Sequence, residues 1–394
     1  MRIAYCTESL PPLTDGVART YTWLARALDE SGVDFRFFSP CLPAEELPWR
    51  GRVVKQASCA FPLYNYYRVA LPSPWDLVRR LDEFRPDIIQ VAVPTPLSLF
   101  GLLYARRRRV PLVSSYHTHF VDYLPYYHLG ALSRAAWGLL RRFHNAGVRT
   151  YVPTGLCLDR LRNLGFTNLE LWERGLDAES FSPQFQSPEE RARWAANDEL
   201  LCLYVGRLVA DKDLRVLADA LALVRAKGLK LRCVFAGDGP LLPELKRKLP
   251  LDHFPGFVRG AALARLYASS DLFVFPSPNE TFGNVVLEAM ASGLPVLAVA
   301  AGGPVDLVDH GRSGRLVKPG DAQVFAGALR SLARDAGLRR SMGAHGLARS
   351  QKYHWRAVHG RLITSYERLL AVSEATRTAS ITACARSLDA SGKG

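Results

Sequence analysis

The chain has 394 residues, of which 48% are hydrophobic and 22% charged. These are the proportions of a globular protein, so they exclude a wholly disordered, collagen-like or low-complexity chain, and the length predicts two or three domains. The 51 Lys and Arg side chains exceed the 37 Asp and Glu side chains, which gives a formal net charge of +14. Such an excess indicates attraction to an anionic partner: nucleic acid, an anionic membrane or a phosphate-bearing small substrate.

The seven cysteines form no CxxC pair, which argues against a zinc ribbon or a disulfide framework and favours a reducing compartment. The first residues, MRIAYCTESLPP, lack the long apolar stretch of a secretory signal. No segment approaches the ~18–20 apolar residues of a membrane-spanning helix. We therefore expect a cytoplasmic protein that does not cross a membrane.

Short apolar runs alternate with segments of helical period along most of the chain, a pattern typical of parallel sheets with helices on both faces. The predicted strands are residues 2–6, 35–39, 88–91, 112–116 and 150–152 in a first series and 201–205, 231–236, 272–275 and 296–299 in a second. The predicted helices are residues 18–30, 213–227, 241–248, 285–291, 321–335 and 355–370.

Two successive series of this kind predict an α/β protein with two facing doubly wound, Rossmann-like domains and a cleft between them. We expect the first domain at residues 1–176 and the second at 196–350, with a terminal helix at 355–372 that packs back on the first. Residues 373–394 are rich in Ala, Ser, Thr and Gly, and we expect them to form a disordered tail.

Two glutamates mark the end of a strand in the second domain. Glu280 lies in the loop after the strand predicted at 272–275, and Glu288 lies two turns further along the helix that follows. The backbone N–H groups at the start of that helix belong to Phe282, Gly283 and Asn284. Such a corner binds anions and hydroxyls. The spacing alone leaves a second interpretation open, in which both glutamates are solvated and only favour the positive end of the helix dipole.

The sequence TFGNVVLEAMASGLPV around these glutamates resembles the signature of glycosyltransferase family 4, the large retaining family of nucleotide-sugar glycosyltransferases with the GT-B fold. Three other segments resemble the family in the same order: Tyr204-Val-Gly-Arg-Leu followed by Lys212, then the Gly-rich turns at 236–240 and 301–308. Residues 11–19 resemble its glycine-containing loop before the first helix. The resemblance extends over about residues 1–370 and implies a hexosyltransferase.

The resemblance implies a role for each matching residue of the second domain. Arg207 and Lys212 would hold the donor diphosphate, because fixed cations stabilise the charge that develops on the leaving group. Glu280, with the N–H groups of Phe282, Gly283 and Asn284, would hold hydroxyls of the transferred sugar, and Glu288 would accept the two ribose hydroxyls. The Gly-rich loop of this donor site contains Gly302 and Gly303.

The first domain contributes two further candidates by the same resemblance. Gly16 would let the backbone approach the phosphate or the acceptor closely, and His117 would join Arg207, Lys212 and Glu280 near the transferred sugar. Two alternatives remain open for the histidine. It is a structural core residue, or it forms a metal site with His119, for which Asp122 and His128 are the nearby third ligands.

Asp211-Lys212-Asp213 spells the DxD pattern that binds a divalent metal in the other main glycosyltransferase fold. Here it falls between a turn and a predicted helix start, where Asp213 is placed to cap the helix and Lys212 already supplies positive charge. We interpret the pattern as coincidental and expect no metal and no cofactor.

The segment Arg174-Gly-Leu-Asp177 resembles the glycolipid branch of the family, which includes mannosyl- and sulfoquinovosyltransferases. This implies transfer of a hexose, first of all mannose from GDP-mannose, to a membrane glycolipid or lipid-linked acceptor. Arginines of the first domain would then dock a peripheral enzyme on the anionic inner face of the membrane. They are Arg68, Arg79, Arg80 and the run 106–109.

Four alternatives stay open at this stage. The donor could be a UDP-sugar carrying glucosyl, glucuronosyl or sulfoquinovosyl groups, and a nucleotide-sugar epimerase or a phosphorylase could share the architecture. The aromatic and arginine-rich segments of the first domain could be ordinary core and surface. Nucleic-acid binding would also fit the positive charge, but the sequence contains no basic helix with interleaved aromatics and no zinc-finger or RNA-recognition pattern. We therefore expect no nucleic-acid partner.

Overall fold

A computed structural model of the chain describes residues 1–391 apart from 14, 62–63, 118, 125–128 and 178, and describes only the backbone of residues 61, 64–66, 123 and 376–391. The chain forms two units. One unit contains Met1–Val152, Arg160–Trp172 and the residues from Trp355 onward, and the other contains Pro153–Asp159 and Glu173–His354.

The first unit is built on a seven-stranded parallel sheet in the order β3-β2-β1-β6-β7-β8-β9. Its strands are β1 (Arg2–Cys6), β2 (Asp34–Ser39), β3 (Val53–Lys55), β6 (Ile88–Val91), β7 (Leu112–Ser115), β8 (Arg149–Val152) and β9 (Leu169–Leu171). An antiparallel hairpin of β4 (Ser58–Phe61) and β5 (Tyr64–Ala70) forms a separate sheet. Because β1 pairs with both β2 and β6, the strand order reverses beside β1.

Helices cover both faces of this sheet. They are α1 (Gly16–Glu30), α2 (Pro74–Phe84), α3 (Pro96–Arg108), α4 (Phe120–Tyr123), α5 (Ser133–His144) and α15 (Trp355–Ser391), and α6 (Gly155–Asn163) passes from one unit to the other. The Asp15 carboxylate caps α1 by accepting the N–H groups of Val17 and Ala18. Helix α15 packs against α1 and buries Val358 and Leu362 in the core.

The segment predicted to be a disordered tail is helical in the structure. Helix α15 begins at Trp355, as the sequence predicted, but continues to Ser391. The reason lies in the composition, because Ala, Arg and Leu favour helix and the segment contains no proline and no glycine before Gly392. The prediction took the scarcity of large apolar residues for disorder, although that scarcity limits packing rather than helix formation.

The second unit contains a six-stranded parallel sheet in the order β12-β11-β10-β13-β14-β15. Its strands are β10 (Leu200–Val205), β11 (Leu231–Ala236), β12 (His253–Gly256), β13 (Leu272–Phe275), β14 (Val296–Val299) and β15 (Gly314–Val317). Its helices are α7 (Pro188–Ala192), α8 (Leu214–Ala226), α9 (Leu242–Lys248), α10 (Gly260–Ala268), α11 (Asn284–Ala291), α12 (Pro304–Leu307), α13 (Ala322–Arg334) and α14 (Ala336–Ser350). Here the order reverses beside β10.

Two doubly wound parallel sheets confirm the predicted α/β fold class. All nine predicted strands are present, whereas the hairpin strands β4 and β5 were missed. The strands β3, β9, β12 and β15 of the two parallel sheets were also missed. These four strands are the outer edges of the two sheets. An edge strand is only partly covered, so it lacks the continuous apolar run that reveals a central strand of a parallel sheet; β12 even contains Pro255.

Candidate functional site

The loops that follow β10 and β11 are joined to each other by backbone hydrogen bonds. The N–H of Gly206 donates to the carbonyl of Ala236 at 3.1 Å, and the N–H of Leu208 donates to the carbonyl of Asp238 at 2.8 Å. A Cβ at Gly237 would lie 1.9 Å from the Gly206 carbonyl oxygen, so only glycine permits this approach. These contacts fix the loop that carries Arg207 at the carboxyl end of the sheet.

Lys212 is buried beside this loop and is held by two carboxylates. Its Nζ lies 3.2 Å from Oε2 of Glu280 and 3.7 Å from Oδ2 of Asp211, and it donates to the carbonyl of Asn279 at 3.2 Å. A buried ammonium is stable only when it is paired in this way. The result is a fixed positive charge at the point where the strand order reverses, which is where parallel sheets bind ligands.

Arg207 supplies a second positive charge that is more exposed. Its side chain is 43% exposed, and its Nη2 lies 3.9 Å from Oδ2 of Asp211. The hydroxyl of Tyr204 donates to the Arg207 carbonyl at 3.0 Å and so holds the backbone of this residue. Burial, together with the nearby charges of Glu280 and Asp211, raises the pKa of Tyr204 well above its ordinary value. Tyr204 therefore stays neutral and acts as a hydrogen-bond donor.

The two aspartates of the DxD pattern have different surroundings. Asp211 lies between Arg207 and Lys212 and serves as their shared counter-ion. Asp213 precedes α8, but it has a left-handed backbone with φ of 51° and its side chain makes no capping hydrogen bond. The predicted cap is therefore wrong in its chemistry, because capping needs an extended backbone that turns the side chain toward the helix N–H groups. Burial and the charge of Asp211 raise the pKa of Asp213.

The Gly-rich loop after β14 lies directly against the loop that carries Glu280. The N–H of Gly303 donates to the Glu280 carbonyl at 2.7 Å. A Cβ at Gly302 would lie 2.4 Å from the same oxygen, and one at Gly303 would lie 1.9 Å from the carbonyl oxygen of Phe282. The two glycines thus allow a contact that no other residue would permit, and this contact fixes the backbone of Glu280.

Helix α11 begins beside this contact. Gly283 precedes its first residue with a left-handed φ of 96°, and Asn284 is the first helical residue. Phe282 is buried and its ring contacts Tyr353 edge-on. The first N–H groups of an α-helix have no partner within the helix, so this helix start presents donors at the same edge as Lys212.

Glu288 lies inside the protein rather than on its surface. It is 1% exposed, and its Oε2 accepts the Tyr267 hydroxyl of α10 at 3.0 Å. Glu280 is paired with Lys212. The interpretation that both glutamates are solvated residues of a helix start is therefore wrong.

His117 and Gly16 lie in the first unit. Nε2 of His117 lies 2.8 Å from the Ser115 hydroxyl and 3.3 Å from the Tyr21 hydroxyl, and the ring is buried. Gly16 is exposed as the first residue of α1. His119 has a different partner, because its Nδ1 lies 3.1 Å from the hydroxyl of Tyr116.

The metal alternative for His117 involves His128, which lies outside the described residues. Among the residues that the structure describes, no group of three His, Cys, Asp or Glu side chains is arranged to hold a metal ion. Asp122, the other ligand considered, accepts both Nη groups of Arg160 at 2.6 Å.

The structure thus brings the predicted residues of the second unit to one edge of its sheet. They are Arg207, Lys212, Glu280, Phe282, Gly283, Asn284, Glu288, Gly302 and Gly303. Sequence reasoning missed two residues that complete the site. Asp211 was dismissed with the DxD pattern, and Tyr267 gave no signal except a large polar ring in a helix of mostly small residues.

Two family models match the chain. The model described as Glycosyltransferase Family 4 matches residues 14–180, and the model described as Glycosyl transferases group 1 matches residues 199–335. The chain is 34% identical to the sulfoquinovosyl transferase of Arabidopsis thaliana, over 90% of this chain and 71% of that protein. It is also 34% identical to a GDP-mannose-dependent alpha-mannosyltransferase of Mycobacterium tuberculosis, over 82% of this chain and 85% of that protein.

A third relative is named for a lipid acceptor. It is a GDP-mannose-dependent alpha-(1-6)-phosphatidylinositol dimannoside mannosyltransferase of Mycobacterium tuberculosis, 30% identical over 75% of this chain and 79% of that protein. Among solved structures, sucrose-phosphate synthase from Thermosynechococcus elongatus superposes with a TM-score of 0.77 at 21% identity, over 94% of this chain and 99% of that one. This likeness establishes the GT-B fold.

Proposed function

The chain belongs to glycosyltransferase family 4, and from this membership we propose that it transfers a hexose from a nucleotide sugar to a membrane glycolipid or a related lipid-linked acceptor. The first-choice donor is GDP-mannose, and the expected outcome is retention of the anomeric configuration without a metal ion. The observation that carries the proposal is the buried Lys212 ammonium, held between Glu280 and Asp211 beside Arg207.

These two cations suit a departing diphosphate. As the bond between the sugar carbon and the phosphate oxygen breaks, negative charge builds up on that oxygen, and preorganised cations stabilise it without rearrangement. The Arg207 side chain is 43% exposed, so its guanidinium is accessible to the diphosphate. The pair of cations therefore takes the role that a divalent metal has in other transferases.

The proposed reaction needs no carboxylate nucleophile, either to form the new glycosidic bond or to remove the acceptor's proton. In a front-face displacement the acceptor oxygen bonds to the sugar carbon on the side from which the diphosphate leaves, and the departing phosphate oxygen takes the acceptor's proton. Glu280 is a poor candidate for a nucleophile, because the Lys212 ammonium occupies one of its oxygens at 3.2 Å. We assign Glu280 to hydroxyls of the transferred sugar and to the positioning of Lys212.

Glu288 is assigned to the ribose of the donor. Its carboxylate is oriented by the Tyr267 hydroxyl from α10, and a carboxylate has about four acceptor positions, which suits a vicinal diol. A carboxylate at the end of a strand-to-helix unit recognises ribose in this manner in other doubly wound domains. A different nucleotide sugar is the alternative donor, since the sulfoquinovosyl transferase matches as closely as the mannosyltransferase does.

An enzyme that glycosylates a lipid needs a surface that contacts the membrane, and we assign this surface to the first unit. Trp75 at the start of α2 is 87% exposed, and Leu103 of α3 is also exposed. The arginines at the end of α3 add positive charge, and Arg106 and Arg107 are exposed there. Aromatic rings and arginines together favour an anionic bilayer surface. Within the described part of the chain, no helix is both long and apolar enough to cross a bilayer.

Some of the arginines that the sequence assigned to docking have partners within the protein. Arg79 and Arg80 both donate to Asp76, at 2.6 and 2.8 Å, and Arg108 donates to Asp82. These pairs reduce the positive charge that α2 offers to a membrane. The proposal therefore centres on Trp75 and on the end of α3.

A transfer assay with a panel of donors tests the function. We expect the purified full chain to transfer mannose from GDP-mannose to an extract of glycolipids in excess EDTA, and NMR of the product to show the anomeric configuration of the donor. If the chain transfers sugar from a UDP-sugar and not from GDP-mannose, the UDP-sugar replaces GDP-mannose as the proposed donor. Loss of activity in EDTA that Mg²⁺ restores would overturn the metal-free mechanism. Efficient transfer to soluble sugars, with none to lipids, would overturn the lipid acceptor.

A further inference from the structure

Glu8 is a buried carboxyl that the proposed donor site does not use. It lies two residues beyond the end of β1, and it is 1% exposed. Because β1 pairs with β2 on one side and β6 on the other, Glu8 occupies the point where the strand order of the first sheet reverses. At that point the loops leave a parallel sheet in opposite directions, which makes it the usual ligand site.

Neither oxygen of this carboxyl accepts a hydrogen bond from any residue that the structure describes. Burial raises the pKa of Glu8 to about 7. The Thr95 hydroxyl and the backbone N–H of Glu8 itself lie close by without hydrogen-bond geometry, and they offset only part of this effect. Buried carboxyls are normally paired or hydrogen-bonded, because burial without a partner costs free energy. The chain therefore keeps an unfavourable group at a position suited to a ligand.

The groups around the Glu8 carboxyl define the chemistry of that ligand. Cys41 and Tyr67 interact electrostatically with each other and with both Glu8 and Asp15. The Cys41 thiol also donates a hydrogen bond to the backbone carbonyl of Glu8. No lysine or arginine is among the described groups that act on the carboxyl. A phosphate or other anion would be repelled by Glu8 and Asp15. A neutral group rich in hydroxyls would instead donate hydrogen bonds to them.

We propose that Glu8 accepts hydroxyl hydrogen bonds from the neutral polyol part of the acceptor, such as a sugar, glycerol or cyclitol ring, and thereby selects it. This rests on the function proposed above. Because the carboxyl is enclosed, a neighbouring side chain has to turn aside for the hydroxyl to reach it. Tyr67 on the hairpin is one such neighbour, since its hydroxyl and the Glu8 carboxyl interact electrostatically.

Glu8→Gln tests this role, with Glu45→Gln as the matched control, since Glu45 is an exposed glutamate of the same unit. We expect the KM for the acceptor to rise at least about tenfold in Glu8→Gln, while the Kd for the nucleotide stays within twofold and the Tm without ligand is equal or higher. A structural role would instead lower the Tm and leave the acceptor KM unchanged, which would overturn the proposal.

Glu8→Asp, which keeps the carboxyl but withdraws it by one methylene, serves if the glutamine variant fails to fold. It should raise the acceptor KM and alter the preference among glycerol, sugar and inositol headgroups. Wild-type kinetics in a well-folded Glu8 variant would refute the role of Glu8 and leave the glycosyltransferase intact. Failure of the wild-type chain to glycosylate any acceptor would refute the proposed function and this inference together.

Discussion

The reversal points of the two sheets differ in how their charges are balanced. In the second unit, Lys212 is paired with Glu280 and Asp211. In the first unit, Glu8 has no partner among the described residues and His117 is held by neutral hydroxyls. Permanent cations, which suit a diphosphate, require counter-ions when they are buried. Neutral hydroxyls instead need acceptors, and the described residues leave the acceptors of the Glu8 carboxyl unsatisfied.

Removal of the Lys212 ammonium, the paired charge of the second unit, should have the largest effect on catalysis. In Lys212→Met, Glu280 and Asp211 lose their shared cation and the leaving diphosphate loses a fixed positive charge, so kcat should fall about 10²–10³-fold. Steady-state kinetics measure this, with the Tm as a check on folding. Lys230→Met is the control, because Lys230 makes an exposed ion pair with Asp198 and should change kcat less than twofold. Equal kcat in both variants would refute the role of Lys212.

The buried Glu8 carboxyl should make the stability of the first unit depend on pH. Its pKa rises from 4.5 in the unfolded chain to about 7 in the folded protein. Between these values the folded state binds more protons, so the stability due to this group falls as the pH rises through that range. Glu8→Gln removes the penalty, and by pH 8 it should be more stable than the wild type by about 3 kcal/mol.

Denaturant unfolding of both proteins from pH 4.5 to 8 measures this difference. The control Glu45→Gln should show no such trend, since its side chain is exposed. Asp15 and Tyr67, two other titratable groups near Glu8, are unchanged in both variants. A stability difference that stays constant across the pH range would contradict the buried, unpaired state of Glu8.

Glu288→Ala tests whether the second unit binds the nucleotide through this carboxylate. It should weaken nucleotide binding by about 1.5–3 kcal/mol, the size of a lost hydrogen bond to a charged group. Tyr267→Phe removes the hydroxyl that orients Glu288 and also contacts the Val285 carbonyl, and it should weaken nucleotide binding by about 1 kcal/mol. Calorimetry with GDP and UDP gives both values, and unchanged affinity in Glu288→Ala would refute the ribose assignment.

The smallest expected effect concerns the membrane surface of the first unit. Trp75→Ala and Arg106→Ala should each reduce binding to phosphatidylglycerol vesicles a few-fold, about 1 kcal/mol per arginine, and the loss should shrink as salt rises. Phe257→Ala removes an exposed aromatic ring from the second unit and is the control. A sedimentation assay in which all three variants bind like the wild type would remove this surface from the proposal.

The sequence predicted the cluster around Lys212 better than the surroundings of Glu8 for a physical reason. Arg207, Lys212 and Glu280 belong to short segments that resemble motifs of the family, and this resemblance predicted that they lie at one edge of the sheet. The isolation of Glu8 depends instead on what surrounds it in the fold, and the contact of Tyr267 with Glu288 joins two helices. The edge strands and the left-handed Asp213 were missed for the same reason, since tertiary contacts determine both.

Helix α15 has a consequence for the order in which the protein is made. Ser365 and Tyr366 on this helix bond to Tyr151 and Gln90 inside the first unit, yet they are synthesised after the whole of residues 173–354. The strands of the first unit thus leave the ribosome early and wait with part of their core uncovered while the second unit is translated. Nascent chains halted before Trp355 should therefore recruit chaperones through the first unit, and release of the helix from the exit tunnel should end that dependence.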